Sequence, residues 1–118
     1  MDESTRRRLL GLLGLGVRGR LAVVGVQQVR DAAKRGTLAL AVVAPDVSRH
    51  SKDKIVPLLV AKHVRVIEGP SASELGAAVG RETTAAIGVV DRQLARGIRA
   101  LVEQGPDRGR ESGPSGTP

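Results

Sequence analysis

Residues 38–44, Leu-Ala-Leu-Ala-Val-Val-Ala, form an aliphatic run without a polar or charged side chain. The run has the length of a strand, and it lacks the alternation of polar and apolar residues that marks a strand with one face in water. Such a run is typical of a strand that is covered on both faces. We therefore predict that this segment is the central strand of a sheet with helices on both sides.

Shorter apolar runs predict three further strands. They lie at residues 21–24, 64–67 and 84–90. Apolar residues at helical spacing, or capping residues ahead of them, predict helices in the segments between and around the strands. The predicted helices are residues 4–17, the segment between Gly25 and Gly36, residues 55–63, the segment that follows Ser71, and the segment that follows Asp91.

Local signals indicate how these helices begin and continue. Ser4 or Thr5 is expected to cap the first helix, and Ser71 with Glu74 fits a capping box at the start of the fourth. Pro57 is expected to bend or restart the third helix, because proline cannot donate a backbone hydrogen bond.

The order of the elements predicts an α/β fold. Helices that alternate with four short strands indicate a three-layer α/β/α sandwich around a small mixed four-stranded sheet. We expect this single domain over residues 1–104. Residues 105–118 are rich in Gly, Pro, Ser and charge, so they offer almost nothing to bury and are predicted to be a disordered tail.

Composition restricts the binding modes that are open to the protein. The 118-residue chain is 41% hydrophobic but has no Phe, Tyr or Trp, which excludes base stacking on aromatic rings. Its 19 Lys and Arg residues, 15 of them Arg, exceed 12 Asp and Glu and give a net charge of +7. A positive field in so small a domain favours a polyanionic partner, and arginine suits bidentate contacts with phosphate or guanine.

Patterns that could indicate catalysis or a cofactor have simpler interpretations. The chain has no Cys, and His50 and His63 have no carboxylate at metal-ligand spacing. Asp46, Ser48 and His50 crowd one loop, but turn-forming and capping roles explain the first two. The pattern Gly-x-Gly-x-x-Gly at residues 14–19 closes a helix and leads into a strand, the reverse of the order in a dinucleotide-binding site. We therefore predict that the protein is not an enzyme and has no cofactor, metal or small-molecule substrate.

The N-terminal segment loosely resembles an export signal. Three arginines precede an apolar run at residues 9–17, but three glycines break the run, and Arg18 and Arg20 follow before any cleavage site. No window approaches the ~18 apolar residues that a membrane span needs. We expect a cytoplasmic monomer with no membrane partner.

The segment from Gly25 to Gly36 holds the first candidate binding residues. The first turn of its predicted helix carries Gln27 and Gln28. Backbone N–H groups at a helix start attract phosphate, and amide side chains can both donate to and accept from base edges. A solvated polar helix would give a similar pattern on its own. The same helix carries three basic side chains suited to RNA backbone contacts, Arg30, Lys34 and Arg35.

A second segment, from Val66 to Gly80, adds to this pattern. Together the two segments resemble the L7Ae/L30e ribosomal protein superfamily, which has a glycine, a short polar helix start and a basic helix, then an apolar-acidic-x-Pro-Ser loop before Leu-Gly. Residues 12–15 and 56–59 are also similar to the family. The resemblance covers residues 6 to 103, and the bacterial YlxQ-type branch is the most similar.

The resemblance implies an α/β/α fold that binds kink-turns, RNA bends in which a bulge flanks sheared G·A pairs. The implied partner is a structured RNA, either a kink-turn or ribosomal RNA. By this resemblance, Gln27 and Gln28 would read the guanines from the helix start at Gly25. The loop residues Ile67, Glu68 and Gly69 would pack on the extruded bulge nucleotide.

Three positions depart from the family pattern. The family usually has Asn, Glu and Lys where this chain has Gln27, Gln28 and Asp31. A carboxylate that faces phosphate repels it, so we expect either weaker binding than in the relatives or compensation by Arg30 and Lys34. An alternative hypothesis keeps the fold but makes the chain a protein-interaction or ribosome-assembly module with weak or non-specific RNA binding.

Overall fold

The computed structural model describes the backbone of residues 1–111 and the side chains of residues 1–103. Within this range helices and strands alternate, as the sequence predicts. Their bounds are α1 Glu3–Arg18, β1 Ala22–Val24, α2 Val26–Arg35, β2 Leu40–Val43, α3 Arg49–Ala61, β3 Arg65–Glu68, α4 Ala72–Ala78, β4 Ala86–Val89 and α5 Arg92–Glu111.

The four strands form one mixed sheet with the order β1-β4-β2-β3. β2 pairs in parallel with β3, and β4 pairs antiparallel with both β1 and β2. β1, β2 and β3 therefore run in one direction and β4 runs in the other. All four residues of β2 are buried at an interior position of the sheet, which confirms the predicted central strand.

Helices cover both faces of the sheet and divide the core into two clusters. On one face α2 and α3 pack against the sheet through Val29, Ala33, Ile55 and Leu59. On the other face α1, α4 and α5 contribute a larger cluster, whose fully buried members include Leu9, Leu13, Leu75 and Ile98. This arrangement confirms the predicted three-layer α/β/α sandwich. It also accounts for the lack of alternation in β2, since both of its faces are covered.

Two glycines of α1 allow its neighbouring helices to pack closely. A Cβ at Gly14 would lie 2.7 Å from the backbone oxygen of Ala78 in α4, and a Cβ at Gly16 would lie 2.6 Å from a methyl group of Leu94 in α5. Both glycines belong to the Gly-x-Gly-x-x-Gly pattern, which lies inside α1 and ends at its C-cap, ahead of β1. The pattern therefore serves helix packing, in agreement with the prediction that it is not a dinucleotide-binding loop.

The structure corrects two predicted helix starts. Asp2, rather than Ser4 or Thr5, caps α1, because its carboxylate accepts a hydrogen bond of 2.8 Å from the backbone N–H of Thr5. α3 begins at Arg49, earlier than the predicted residue 55, because Ser48 caps a first turn that has few apolar residues. Pro57 lies inside α3, which continues as one helix to Ala61 rather than restarting.

Other predicted caps are confirmed. Ser71 and Glu74 form the expected capping box at the start of α4, and Asp91 accepts a hydrogen bond of 2.9 Å from the N–H of Leu94 at the start of α5. The backbone of α5 extends to Glu111, past the predicted domain boundary at residue 104. The predicted tail, residues 105–118, lies outside the residues whose side chains are described, so the tail stays a prediction. None of the described helices is both long and apolar enough to cross a membrane.

Candidate nucleic-acid interface

The carboxyl ends of β1, β2 and β3 meet at one edge of the sheet, because these strands run in the same direction. The N–H of Gly25 donates to the carbonyl of Ala86 at 2.8 Å, just after β1, and Val43 at the end of β2 pairs in register with Glu68 at the end of β3. We call the segments at this edge, residues 25–28 and 68–71, the carboxyl edge. Three strand spacings separate its two halves, which places them about 14 Å apart. The fold thus brings together the two segments that the sequence singled out.

Gly25 gives α2 an unusual start. Its φ of 101° and ψ of 158° lie in a backbone region that is essentially restricted to glycine. Gly25 is the N-cap of α2, and no side chain caps the helix there. The first N–H groups of a helix have no partner inside it, so this start presents backbone donors to a ligand.

Gln27 and Gln28 stand exposed beside this helix start. The side-chain nitrogen of Gln27 donates a hydrogen bond of 2.9 Å to a carboxylate oxygen of Asp31, one turn later. An ionised carboxylate can only accept, so this contact directs the amide nitrogen of Gln27 towards Asp31 and leaves the amide oxygen free. Asp31 therefore orients Gln27, a role that its charge alone did not suggest.

The three basic residues of α2 occupy different surroundings. Arg30 is half-buried and donates a hydrogen bond to the backbone carbonyl of Lys54, which ties α2 to α3. Lys34 and Arg35 are exposed in the last turn of α2. At 1.5 Å per residue, Lys34 lies about 9 Å along the helix axis from Gln28. Lys34 and Arg35 therefore lie at the opposite end of α2 from the amide side chains of the first turn.

The loop from β3 to α4 forms the other half of the carboxyl edge. Ile67 is only 4% exposed and packs in the core beneath α1 and α4, so its side chain supports the loop from below and does not face solvent. Glu68 is exposed. Gly69 is covered by the side chain of Met1, since a Cβ at Gly69 would lie 2.6 Å from the terminal methyl group of Met1.

Side chains of this protein cap the start of α4, in contrast to the start of α2. The N–H of Glu74 donates to the Ser71 hydroxyl at 3.1 Å, and the Ser71 N–H donates to the Glu74 carboxylate at 2.9 Å. Asp46 accepts a hydrogen bond of 2.9 Å from the N–H of Ala72. Asp46 and Ser48 thus have the turn and capping roles that the sequence predicted, while His50 is exposed on the first turn of α3.

Sequence reasoning missed two basic residues near this edge. Arg49 and Lys52 belong to the first turn of α3, which follows the carboxyl end of β2, and neither forms an ion pair with another described side chain. The first turn of α3 contains no acidic residue. Because the sequence prediction began α3 at residue 55, it could not place these cations beside the carboxyl edge.

Comparison with known proteins identifies the family. The family model for the ribosomal protein L7Ae/L30e/S12e/Gadd45 family matches residues 9–98, which is most of the described chain. The chain belongs to this family. No curated protein matches it.

Two solved structures are similar to this member of the L7Ae/L30e/S12e/Gadd45 family. A protein of unknown function from Bacillus halodurans has 30% sequence identity and a TM-score of 0.74, and the match covers 80% of this chain and 96% of that one. The Giardia lamblia 15.5kD RNA binding protein has 19% identity and a TM-score of 0.74, with coverage of 88% and 89%. The second similarity, at this low identity, is evidence for the shared fold.

Proposed function

We propose that this protein binds structured RNA through the carboxyl edge and does no chemistry of its own. The observation that carries the proposal is the open start of α2, where Gly25 leaves backbone donors uncapped beside two exposed amide side chains. Membership of the L7Ae/L30e/S12e/Gadd45 family supports it, and so does the fold shared with an RNA-binding protein of Giardia lamblia.

Within this proposal, the target is a kink-turn or a similarly bent RNA. Guanine offers N–H donors at its base edge, and the free amide oxygen of Gln27 can accept from such a donor. Gln28 lies beside it and is also exposed. Glu68 and Gly69 would contact the extruded nucleotide, while the buried Ile67 only holds their loop in place.

The position of the basic residues near the carboxyl edge supports the same proposal. Arg49 and Lys52 at the start of α3 can contact phosphates of an RNA that lies across the edge. Arg49 and Lys52 would then contact the RNA backbone, whereas Arg30 already donates a hydrogen bond to α3. Further parts of the proposal are a YlxQ-type branch, association with ribosomal RNA in the cytoplasm, a role in translation, and a monomeric state.

A titration against two RNAs tests the specific claim. One RNA is a standard kink-turn, and the other is a copy in which the sheared G·A pairs are replaced by Watson–Crick pairs. We expect clearly tighter binding to the intact kink-turn at moderate salt, because only the bent RNA presents its guanine edges and its bulge together. Equal affinity for the two RNAs would contradict kink-turn recognition.

A second candidate function has a specific observation in its favour. The carboxyl edge carries exposed acid at Glu68, and Met1 lies over Gly69. Both features suit a protein-interaction or ribosome-assembly module that has the same fold and weak RNA binding. Reversal of the charge by Glu68→Lys separates the two candidates, since an RNA surface should gain affinity for any RNA, most strongly at low salt. An unchanged affinity would favour the interaction module.

A further inference from the structure

A concave surface lined by arginines lies at the opposite end of the sheet. Here the segment that joins α2 to β2, residues 36–39, faces the first turns of α5 across a cavity of about 600 Å³. Arg92, Arg96 and Arg99 line it. We call this surface the arginine groove. It lies where β2 begins and β4 ends, so the length of the sheet separates it from the carboxyl edge.

The three arginines project from one face of α5. Their spacing of four and then three residues places them side by side on a helix. All three are exposed, and none forms an ion pair with another described side chain. This differs from the arginines at other positions that pair with glutamates, namely Arg6, Arg7 and Arg65.

The nearest carboxylate along α5 does not neutralise the groove by pairing with these arginines. Asp91 caps α5, where it accepts the hydrogen bond from the N–H of Leu94. Lys34 and Arg35 lie in the last turn of α2, which leads into residue 36 at the groove, although neither lines it. The charge of the groove itself comes from the three arginines of α5.

The floor of the groove is held by backbone hydrogen bonds. Gly36 ends α2 in the left-handed conformation, with φ of 77°, and the N–H of Thr37 donates to the carbonyl of Ala32 at 3.0 Å. The N–H of Ala39 donates to the carbonyl of Val89 at 2.8 Å. These bonds fix the concave shape between α2 and α5, so a ligand meets a formed surface.

We propose that the arginine groove binds the phosphate backbone of a second RNA segment, separate from the one at the carboxyl edge. Guanidinium groups bind phosphate oxygens in a bidentate manner. Arg92 and Arg99 lie about 10 Å apart along the helix axis, further than one phosphate group reaches, so the groove fits a strand. The protein would then hold two RNA segments at opposite ends of its sheet.

A charge-matched pair of variants tests the groove. The test variant carries Arg92→Gln, Arg96→Gln and Arg99→Gln. The control carries Arg8→Gln, Arg18→Gln and Arg81→Gln, which removes the same charge from exposed arginines outside the groove. Circular dichroism checks that both variants keep the helical content of the wild type.

The first readout is the salt dependence of binding to a short labelled oligouridine. Loss of three phosphate contacts should reduce the slope of log affinity against log salt by about 2 in the test variant, at roughly 0.7 per contact for a single strand. The control should keep the wild-type slope. An unchanged slope in the test variant would overturn the proposal. The proposal would also be overturned if a mononucleotide or polyglutamate, added at equal total charge, displaced the labelled oligouridine as well as unlabelled oligouridine does.

The second readout separates the groove from the carboxyl edge. Wild-type protein saturated with immobilised kink-turn RNA should still capture the oligouridine, and the test variant should hold the kink-turn but not the oligomer. Displacement of one RNA by the other would overturn a separate second site. If the wild type binds no kink-turn, but the test variant alone loses oligouridine binding, the groove stands and the proposed function of the carboxyl edge fails.

Discussion

The two ends of the sheet differ in what they offer to an RNA. The carboxyl edge presents backbone donors and the neutral amides of Gln27 and Gln28, with acids nearby, whereas the arginine groove presents positive charge and no comparable amide pair. Base contacts confer sequence specificity and phosphate contacts confer position. The net charge of +7 therefore says little about where a specific RNA is read. Hydrogen-bonding groups mark the candidate reading edge, and the arginine groove lies at the opposite end of the sheet.

At the carboxyl edge, the start of α2 differs from the starts of the neighbouring helices in its cap. Three helices begin near this edge with a side-chain cap: α1 with Asp2, α3 with Ser48 and α4 with Ser71. α2 begins with Gly25 and no such cap. A side-chain cap uses at least one of the free N–H donors at a helix start within the protein. Among these four, α2 is the helix whose start has no donor taken by a side-chain cap.

The largest expected effect comes from Gly25, the glycine at the start of α2. Gly25→Ala should lower the free energy of unfolding by about 1–3 kcal/mol, because its backbone conformation is essentially restricted to glycine. It should also weaken kink-turn binding, since relief of the strain moves the start of α2. A Cβ at this position meets no atom within 4 Å, so the cost is conformational. Urea denaturation and RNA titration measure the two effects.

Gly36→Ala is the matched control. Gly36 also has a positive φ and open space around its Cβ position, but it lies at the groove end of α2. The substitution should cost about 1–2 kcal/mol of stability and leave kink-turn affinity unchanged. If both variants lose kink-turn affinity equally, the carboxyl edge has no special part in binding.

The next effect separates the amide side chains from the rest of the surface. Gln27→Ala and Gln28→Ala should each weaken kink-turn binding by about 1 kcal/mol, roughly fivefold, and leave oligouridine binding unchanged. Gln93→Ala removes an exposed glutamine from the first turn of α5 and serves as the control. Loss of affinity for both RNAs in the Gln27 or Gln28 variant would mean that these residues do not read bases.

Most of the fold was predictable, because it follows from local patterns. The unbroken aliphatic run of β2 indicated burial on both faces, and the capping box of α4 was legible in Ser71 and Glu74. The start of α3 was missed because its first turns, Arg49 to Lys54, have no apolar repeat and depend on Ser48. A resemblance placed Ile67 at the RNA surface, but strand geometry turns its side chain into the core.

The candidate sites were less predictable than the fold, because they depend on contacts between distant segments. The pairing of Gln27 with Asp31 is one turn apart and could have been inferred from spacing, since Gln and Asp side chains at that spacing form hydrogen bonds. The arginine groove could not have been inferred from spacing, since it exists only where residues 36–39 meet α5. Spacing alone shows that three arginines share a helix face, and the fold decides what they face.

A smaller effect concerns the two roles of Asp31, which repels phosphate and orients Gln27. Asp31→Lys removes the repulsion but also the contact with Gln27, so the two consequences partly cancel. In a Gln27→Ala background only the charge effect remains. There the gain in RNA affinity caused by Asp31→Lys should be a fewfold larger than the gain that the same substitution causes in the wild-type background. The gain should shrink with added salt. No gain in that background at low salt would indicate that this face of α2 does not meet RNA.

The smallest effect tests whether the charge of the Asp2 cap matters at the carboxyl edge, since asparagine can still cap a helix. The Thr5 backbone N–H that donates to Asp2 holds the pKa of that carboxyl below its ordinary value of 3.8. A carboxyl whose pKa is lowered by folding stabilises the folded state above its unfolded pKa and loses this contribution as the pH falls through the folded pKa. Asp2→Asn should therefore flatten the fall of stability in acid, measured by urea denaturation, and leave kink-turn affinity near neutral pH unchanged. A change of kink-turn affinity in that variant would show that the start of α1 belongs to the RNA surface.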